Sequence, residues 1–247
     1  MNHLNHLGAI TGFSAAPKLW LAAGITLVFA AFGRLVRGVT NSGALAGAMV
    51  CFGLLLGSGW GGFAALVTVF LLTWTATRFG YARKQVIGIA EARSGRNAGQ
   101  VLANLGVAAC AAILLAVSSR YRFALAVGAA LCEAAADTVS SEVGQADGGK
   151  PRLITNWRRV ESGTDGAITA AGTMAGCLAA VTVAAFYSWL ARGSVYEALV
   201  CAGAGIAGTI ADSLLGATVE GRGGIGNNTV NFLSTLIAAG IAYSTWM

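Results

Sequence analysis

The chain has 247 residues, of which 56% are hydrophobic and only 11% are charged, whereas about 25% of the residues in an ordinary soluble domain are charged. So few charges cannot cover the surface of a soluble protein of this length. Intrinsic disorder is also excluded, because a disordered chain combines low hydrophobicity with high charge. The composition therefore predicts an integral membrane protein.

Eight apolar segments are the candidate membrane spans, since crossing a hydrocarbon core of about 30 Å takes about 20 helical residues. They run approximately from Leu19 to Arg34, Gly43 to Gly57, Gly61 to Phe79, Ala98 to Val117, Tyr121 to Glu142, Gly166 to Leu190, Val195 to Val219, and Asn228 to Trp246. The second segment is short and rich in glycine, so seven spans and one re-entrant segment are an alternative. Alternation with period two is absent, and only helices and closed barrels satisfy their backbone hydrogen bonds in lipid. We therefore predict an all-α, polytopic fold that forms one transmembrane domain over residues 1–247.

The basic residues predict the orientation of the chain. Twelve of the sixteen Lys and Arg residues fall in the first, third, fifth and seventh loops, which the positive-inside rule places in the cytoplasm. The loops at 80–97 and 143–165 are then cytoplasmic, and residues 1–18 form a non-cytoplasmic tail that lacks the features of a signal peptide. The expected location is the inner (plasma) membrane. Because the basic residues lie beside spans without interleaved aromatics, we expect a lipid bilayer as partner and no nucleic acid.

Three acidic residues, Glu133, Asp137 and Asp212, lie well inside apolar runs. Such a residue costs at least about 2.5–3.5 kcal/mol at mid-membrane and is therefore a candidate functional residue. Asp137 and Asp212 each follow an alanine, precede a hydroxyl residue, and are followed by a glutamate, Glu142 or Glu220. This likeness suggests a duplicated helix pair with parallel orientation, which would bring the two aspartates together near the cytoplasmic side.

Amide side chains lie at helical spacing on the same boundary. Gln100 and Asn104 share a face with Asn97 at the start of the fourth span, and Asn228 and Asn231 share a face at the start of the eighth. Each amide alone is explained by hydrogen bonding between helices. Together with the two aspartates they predict a polar cavity that opens to the cytoplasm.

The loops that face this cavity supply groups for binding phosphate. Arg96 lies in the 80–97 loop, Lys150 and Arg152 lie in the 143–165 loop, and a Ser-Gly-Thr-Asp-Gly turn that contains Gly163 and Thr164 opens the sixth span. A turn at a helix N-terminus presents free backbone N–H groups to an anion. Carboxylates able to hold Mg²⁺ beside such donors are typical of phosphoryl transfer. Neither a Walker A sequence nor a kinase glycine loop is present in the sequence.

A series of motifs carries a family resemblance. In chain order these strings are SGALAG, GWGGF, TRFGYARK, GRNAGQVLANLG, ADTVSSEVG, KPRLITNWRRVESGTDGAITAAGT, ADSLLGATVEG and NNTVN. They cover nearly the whole chain after Arg34, and the chain resembles the family of human transmembrane protein 19 and the plant chloroplast phytyl-phosphate kinase. The resemblance implies a CTP-dependent polyprenyl kinase relative, which transfers the γ-phosphoryl group of a nucleoside triphosphate to an isoprenoid monophosphate (phytyl, geranylgeranyl or farnesyl phosphate) and releases the prenyl diphosphate.

The resemblance and the residues together give a predicted site. Asp137, Asp212 and Glu142 are the predicted catalytic residues, and we expect them to bind one or two Mg²⁺ ions that bridge the nucleotide phosphates. The predicted nucleotide- and phosphate-binding residues are Arg96, Gln100, Asn104, Thr138, Lys150, Arg152, Gly163, Thr164, Ser213, Asn228 and Asn231.

The acceptor and the reaction class leave alternatives. The only histidines are His3 and His6 in the tail, so the cytoplasmic side lacks the usual base for an alcohol, whereas a prenyl phosphate is already anionic. An aspartate acting as base keeps an alcohol acceptor possible. A small-molecule or lipid transporter, and a cytidylyltransferase that forms a CDP-lipid, are the two other functions to be tested.

Overall fold

A computed structural model describes residues 15–220 and 224–245. The described helices are α1 (Ala15–Leu35), α2 (Asn41–Arg78), α3 (Tyr81–Val86), α4 (Ala98–Ser118), α5 (Arg122–Asp147), α6 (Ala170–Ala191), α7 (Val195–Thr218) and α8 (Asn227–Ser244). Within these ranges five helices, α2 and α4 to α7, are long and apolar enough to cross a membrane, and α1 contains a shorter apolar segment, Leu19–Leu35. The predicted all-α, polytopic fold is confirmed. The predicted tail at 1–18 overlaps α1, and its residues 1–14, with His3 and His6, lie outside the described residues.

Helix α2 is two antiparallel arms rather than one rod. Its 38 residues would extend about 57 Å if straight, but Gly59 breaks the helix with φ 62° and ψ −147°. Both ends of α2 meet the same short segment, because the carbonyl of Val36 accepts hydrogen bonds from Trp74 and Arg78 while Thr40 caps the first turn. The helix therefore folds back on itself at Gly59.

The turn at Gly59 lies at the opposite end of the bundle from Thr40. Gly57 packs against the backbone of Ala112, near the end of α4, and Gly61 packs against Ala191, the last residue of α6. Each arm thus runs nearly the full length of the bundle. This arrangement favours eight crossing segments over seven spans and a re-entrant segment.

The described basic residues concentrate at one end of the bundle, which we call the basic end. The ends of α1, α5 and α7, both ends of α2, and the starts of α4, α6 and α8 meet there. Eleven Lys and Arg residues lie at this end, against four at the other, while Arg222 falls outside the described residues. The predicted grouping of positive charge is therefore present in the fold, and the cytoplasmic orientation stays a prediction.

Helix α5 is the centre of the bundle. Small residues cover all of its faces, and the stretch from Ala124 to Ala136 is buried throughout. A helix that is apolar all round is suited to burial, and small side chains let neighbouring helices approach closely. Helices α2, α4, α6, α7 and α8 all pack on it. This position places the side chains of the last turns of α5 at the middle of the basic end.

Three features of the basic end were not predicted from the sequence. The 80–97 loop contains the short helix α3, and the 143–165 loop is shortened because α5 continues to Asp147. The remainder of that loop is pinned by a two-stranded antiparallel ribbon, β1 (Arg152–Leu153) and β2 (Ala167–Ile168). Strand β2 contacts α5 and α7, so the ribbon holds the loop against these two helices.

Candidate active site

A cavity of about 390 Å³ opens at the basic end, between the ends of α4, α5, α7 and α8 and the loop that precedes α6. Six of the ten acidic residues of the chain line it, and Arg96 is the only basic residue that does so among those the structure describes. The acidic lining residues are Glu91, Asp137, Glu142, Asp165, Asp212 and Glu220. Acidic residues therefore outnumber basic ones in its lining despite its place at the basic end, and we call it the acidic cavity.

Asp137 of α5 and Asp212 of α7 form the centre of the acidic cavity. Their carboxyl groups lie within hydrogen-bonding reach of each other, and the hydroxyl of Ser234 donates to Oδ2 of Asp212 over 3.1 Å. Arg96 is close enough to interact electrostatically with Asp137. The predicted convergence of the two aspartates is confirmed. Two carboxylates this close repel each other unless a proton or a cation lies between them.

Two buried polar atoms near the aspartates have no hydrogen-bond partner among the described residues. One is Oε1 of Glu133, which lies one helical turn before Asp137, and the other is Oδ1 of Asn231. The amide nitrogen of Asn231 donates to Oδ1 of Asn104 over 3.4 Å, which joins α8 to α4. Unsatisfied buried polar atoms are rare in folded proteins and point to a ligand, an ion or ordered water.

Arg96 is held in place by its own backbone. Its N–H donates to the carbonyl of Gly38, and its carbonyl accepts from the N–H of Thr40 over 3.0 Å. Gly43 allows this approach, because a Cβ added there would lie 2.1 Å from the Arg96 carbonyl oxygen. The guanidinium then reaches Oγ1 of Thr138 at 3.2 Å. A positive group is thereby fixed at the wall of the acidic cavity.

Gln100 and Asn104 line the cavity as predicted, and both are fixed by hydrogen bonds. Asn97 and Gln100 form a capping box at the start of α4, and the Gln100 amide also donates to Glu91 over 3.1 Å. Thr138, Ser213, Gly163 and Thr164 line it too.

Glu142 does not join the two aspartates as a metal ligand, contrary to the sequence prediction. Its carboxylate accepts hydrogen bonds from Lys84 on one oxygen and from Thr77 on the other. Lys84 is completely buried and also donates to the carbonyls of Ala76 and Thr77, so its three protons are all used. This buried ion pair ties α3 and α2 to α5. It was missed because Lys84 falls in a loop that the sequence marked only as basic.

Breaking this ion pair should destabilise the protein. Removing one partner leaves an unpaired buried charge and costs about 3–5 kcal/mol, so we expect Lys84→Met and Glu142→Gln each to lower Tm by roughly 10 °C. The double variant Lys84→Met/Glu142→Met should recover much of the loss, and Lys150→Met, at an exposed lysine, serves as control. Thermal unfolding in detergent gives the readout. If Glu142→Gln has a normal Tm but no catalytic activity, Glu142 is a metal ligand, as the sequence predicted, and the ion pair is not its main role.

Three other predicted residues lie elsewhere. Lys150 and Arg152 do not line the acidic cavity, and the Arg152 guanidinium donates to the Trp157 carbonyl over 2.8 Å within its own loop. Asn227 and Asn228 are both exposed, but only Asn227 lines the cavity together with Asn231. The helical spacing of Asn228 and Asn231 did not reveal that Asn227, four residues from Asn231, also faces the cavity.

The turn at 162–166 forms one rim of the cavity and depends on Gly166. This residue has φ +71°, and a Cβ there would lie 2.3 Å from the backbone nitrogen of Ala217 and 2.4 Å from the carbonyl of Ser213. Only glycine therefore lets the turn rest on the end of α7. Burial raises the pKa of Glu220, beside this rim, and the carboxylates of Asp165 and Asp137 raise it further.

Gly166→Ala should displace the turn from α7. The added methyl group meets backbone atoms, and the left-handed conformation alone is strained by about 1–3 kcal/mol for a residue with a side chain. We expect a lower Tm and faster tryptic cleavage at Arg158 and Arg159. Gly226→Ala is the matched control, because a Cβ there meets nothing within 4 Å. Equal cleavage rates for the two variants would contradict this account of the rim.

The donor set suits a hard divalent cation. No three His, Cys, Asp or Glu side chains of the described residues are grouped to hold a metal ion, so a three-carboxylate site is not formed. The available oxygens are the carboxylates of Asp137 and Asp212 and the unpartnered amide oxygen of Asn231. Mg²⁺ usually binds through one or two carboxylates, substrate phosphates and several waters. This set fits Mg²⁺ with a bound nucleotide better than a site built from protein ligands alone.

Comparison with known proteins gives the family. The family described as "Integral membrane protein DUF92" matches residues 24–239. The chain belongs to this family. The DUF92 assignment confirms the family resemblance found in the motifs, and no solved structure matches the chain.

Three relatives are similar to the chain over most of its length. An uncharacterized membrane protein of Methanocaldococcus jannaschii is 35% identical over 224 residues, covering 89% of this chain and 91% of the relative. The chloroplast protein VTE6 of Arabidopsis thaliana is 29% identical over 242 residues, covering 93% and 72%. An uncharacterized membrane protein of Synechocystis is 31% identical over 189 residues, covering 74% and 73%.

Proposed function

We propose that this protein is an isoprenoid-phosphate kinase, which transfers the γ-phosphoryl group of a nucleoside triphosphate, CTP by family resemblance, to a prenyl monophosphate. The observation that carries the proposal is the Asp137–Asp212 carboxylate pair inside an acidic cavity at the basic end. The similarity to VTE6 supports the same reaction class, given the resemblance to the plant phytyl-phosphate kinase. By the positive-inside rule, the basic end faces the cytoplasm and its nucleotide pool.

The charge of the acidic cavity supports a metal-bound nucleotide. The five lining carboxylates that have no lysine partner would repel free triphosphate, because like charges in a poorly solvated cavity interact strongly. Asp137, Asp212 and the Asn231 amide oxygen would hold Mg²⁺ together with nucleotide phosphates. Bound there, Mg²⁺ would neutralise charge on the β- and γ-phosphoryl oxygens. Arg96, which lies close to Asp137, would bind phosphoryl oxygens, since a planar guanidinium can make two parallel hydrogen bonds to a phosphate.

The protein forms no covalent bond to the substrates during the proposed transfer. An oxygen of the prenyl phosphate dianion forms a bond to the γ-phosphorus, while the bond from that phosphorus to the β,γ-bridging oxygen breaks and its electron pair leaves with the nucleoside diphosphate. The attacking oxygen carries no proton, so a base is not needed. Protein groups position the two phosphates in line and stabilise charge, as is general for phosphoryl transfer.

Product analysis tests the proposal against its rivals. The purified protein in nanodiscs is incubated with Mg²⁺, each of the four nucleoside triphosphates, and farnesyl, geranylgeranyl or phytyl phosphate, and the products are identified by mass spectrometry. The proposal predicts prenyl diphosphate and nucleoside diphosphate in equal amounts. A CDP-lipid with pyrophosphate would instead identify a cytidylyltransferase, and the absence of any new product would favour a transporter.

A further inference from the structure

A second cavity lies beside the acidic cavity and differs from it in chemistry. It encloses about 310 Å³ between α1, the two arms of α2, α4 and α5, within the range of about 300–1,000 Å³ for ligand pockets. Its deeper walls are apolar and aromatic, with Phe29, Leu66, Val69 and Phe70 among them. We call it the apolar pocket. None of the predicted acidic residues within the spans lines it.

The mouth of the apolar pocket is positive. Four arginines, Arg37, Arg78, Arg93 and Arg96, line it, and the only acidic lining residue among those the structure describes is Glu91. The carboxylate of Glu91 already accepts hydrogen bonds from Gln100 and from the Ala92 N–H. An apolar chamber with guanidinium groups at its mouth is complementary to a molecule with an apolar tail and an anionic head.

The two cavities meet along a shared wall. Arg96, Gln100, Asn104 and Glu91 line both of them. An anionic head at the mouth of the apolar pocket therefore lies across Arg96 from the Asp137–Asp212 pair. The two cavities differ in charge and therefore in the ligand they favour. The acidic cavity favours a metal-bound nucleotide, whereas the arginine-lined mouth of the apolar pocket favours a phosphate without a metal.

We propose that the apolar pocket holds the isoprenoid chain of the acceptor, with its monophosphate at Arg96 pointing into the acidic cavity. This inference rests on the proposed function and adds where the acceptor binds. It also makes the pocket the part of the protein that selects chain length, because the tail extends from the shared wall toward Phe29 and Phe70 between α1 and α2.

Photo-crosslinking tests the site without requiring turnover. A geranylgeranyl phosphate analogue with a benzophenone at the end of its chain is irradiated with the full-length protein in nanodiscs, and the labelled peptides are mapped by mass spectrometry. We expect labels on α1 and α2, removed by excess geranylgeranyl phosphate. Labels on the lipid-facing sides of α6 and α7, or equal competition by phosphatidic acid, would overturn the inference.

A glycine substitution tests chain-length selection. Gly47 lines the apolar pocket, and a Cβ added there meets nothing within 4 Å, so the side chain of Gly47→Leu has room to start into the pocket. We expect KM for geranylgeranyl phosphate to rise about ten-fold or more, because the added side chain occupies space that the isoprenoid tail would fill, with little change for dimethylallyl phosphate. Gly203→Leu on α7, equally unhindered and exposed, is the matched control.

The two measurements separate this inference from the function on which it rests. Equal KM changes in Gly47→Leu and Gly203→Leu, in a protein that makes prenyl diphosphate, would overturn the tail site and leave the kinase proposal standing. Competed labelling of α1 and α2, in a protein that makes no diphosphate with any nucleotide, would overturn the kinase proposal and support a binding site for the prenyl phosphate.

Discussion

Asp137→Asn and Asp212→Asn should each lower kcat by on the order of a thousand-fold or more, while the protein still folds and purifies. Each change removes one negative oxygen from the carboxylate pair, and metal stabilisation of phosphoryl charge is worth several kcal/mol, with 1.36 kcal/mol for each factor of ten. Asparagine keeps the shape and relieves the repulsion between the two carboxylates, so we expect Tm to stay level or rise. Initial rates of prenyl diphosphate formation and thermal unfolding give the two readouts.

The matched control for this prediction is Asp147→Asn. Asp147 ends the same helix as Asp137, is exposed, and does not line the acidic cavity. The double variant Asp137→Asn/Asp212→Asn should be about as inactive as either single variant, because residues that act as one unit are not additive. Near-normal turnover in both single variants would show that the pair does not serve catalysis.

Arg96→Gln should produce the second-largest loss, about a hundred-fold or more in kcat/KM. Its guanidinium is the only positive group lining the acidic cavity among the described residues, and it lies on the shared wall. Losing one donor to a developing phosphoryl charge typically costs about 10²–10³ in rate. Arg96→Lys should recover only part of the loss, because an ammonium group cannot reproduce the two-pronged contact of a guanidinium.

Arg152→Gln tests the one point on which the two arginines differ. The sequence predicted that both bind phosphate, whereas the structure places only Arg96 in the acidic cavity. Both arginines lie in basic loops, but Arg152 is exposed and bonded to Trp157 in its own loop. We expect its kcat/KM to stay within about two-fold of wild type, as for surface substitutions of about 0.5 kcal/mol or less. A loss at Arg152 as large as that at Arg96 would mean that the 148–169 loop rearranges to bring Arg152 to the substrate.

Much of the fold could be predicted from the sequence, because a membrane requires spans of a certain apolar length and basic residues at one end. Apolar length and the asymmetry of basic residues were enough to predict an all-α bundle with its charge at one end. They also predicted that Asp137 and Asp212 meet, since parallel spans place equivalent residues at equal depth. The fold-back of α2 was harder to predict, because a single glycine, Gly59, decides between one long helix and two antiparallel arms.

The site was less predictable wherever side-chain direction mattered. Spacing along the chain cannot show that Glu142 faces Lys84, that Arg152 turns toward its own loop, or that Asn227 replaces Asn228. These outcomes depend on a six-residue helix, α3, and a ribbon of two two-residue strands, which are too short to leave a periodic signal. The apolar pocket depends on contacts between α1, α2 and α4 that no local motif encodes.

The central claim is that Asp137 and Asp212 hold the divalent cation beside the nucleotide. Titration of Mn²⁺, observed by electron paramagnetic resonance with the protein in nanodiscs and CTP present, tests it without relying on turnover. We predict that the wild-type protein binds Mn²⁺ with a spectrum that CTP alters, and that the double variant Asp137→Asn/Asp212→Asn loses this binding while Asp147→Asn keeps it. Unchanged Mn²⁺ binding and an unchanged response to CTP in the double variant would contradict the account.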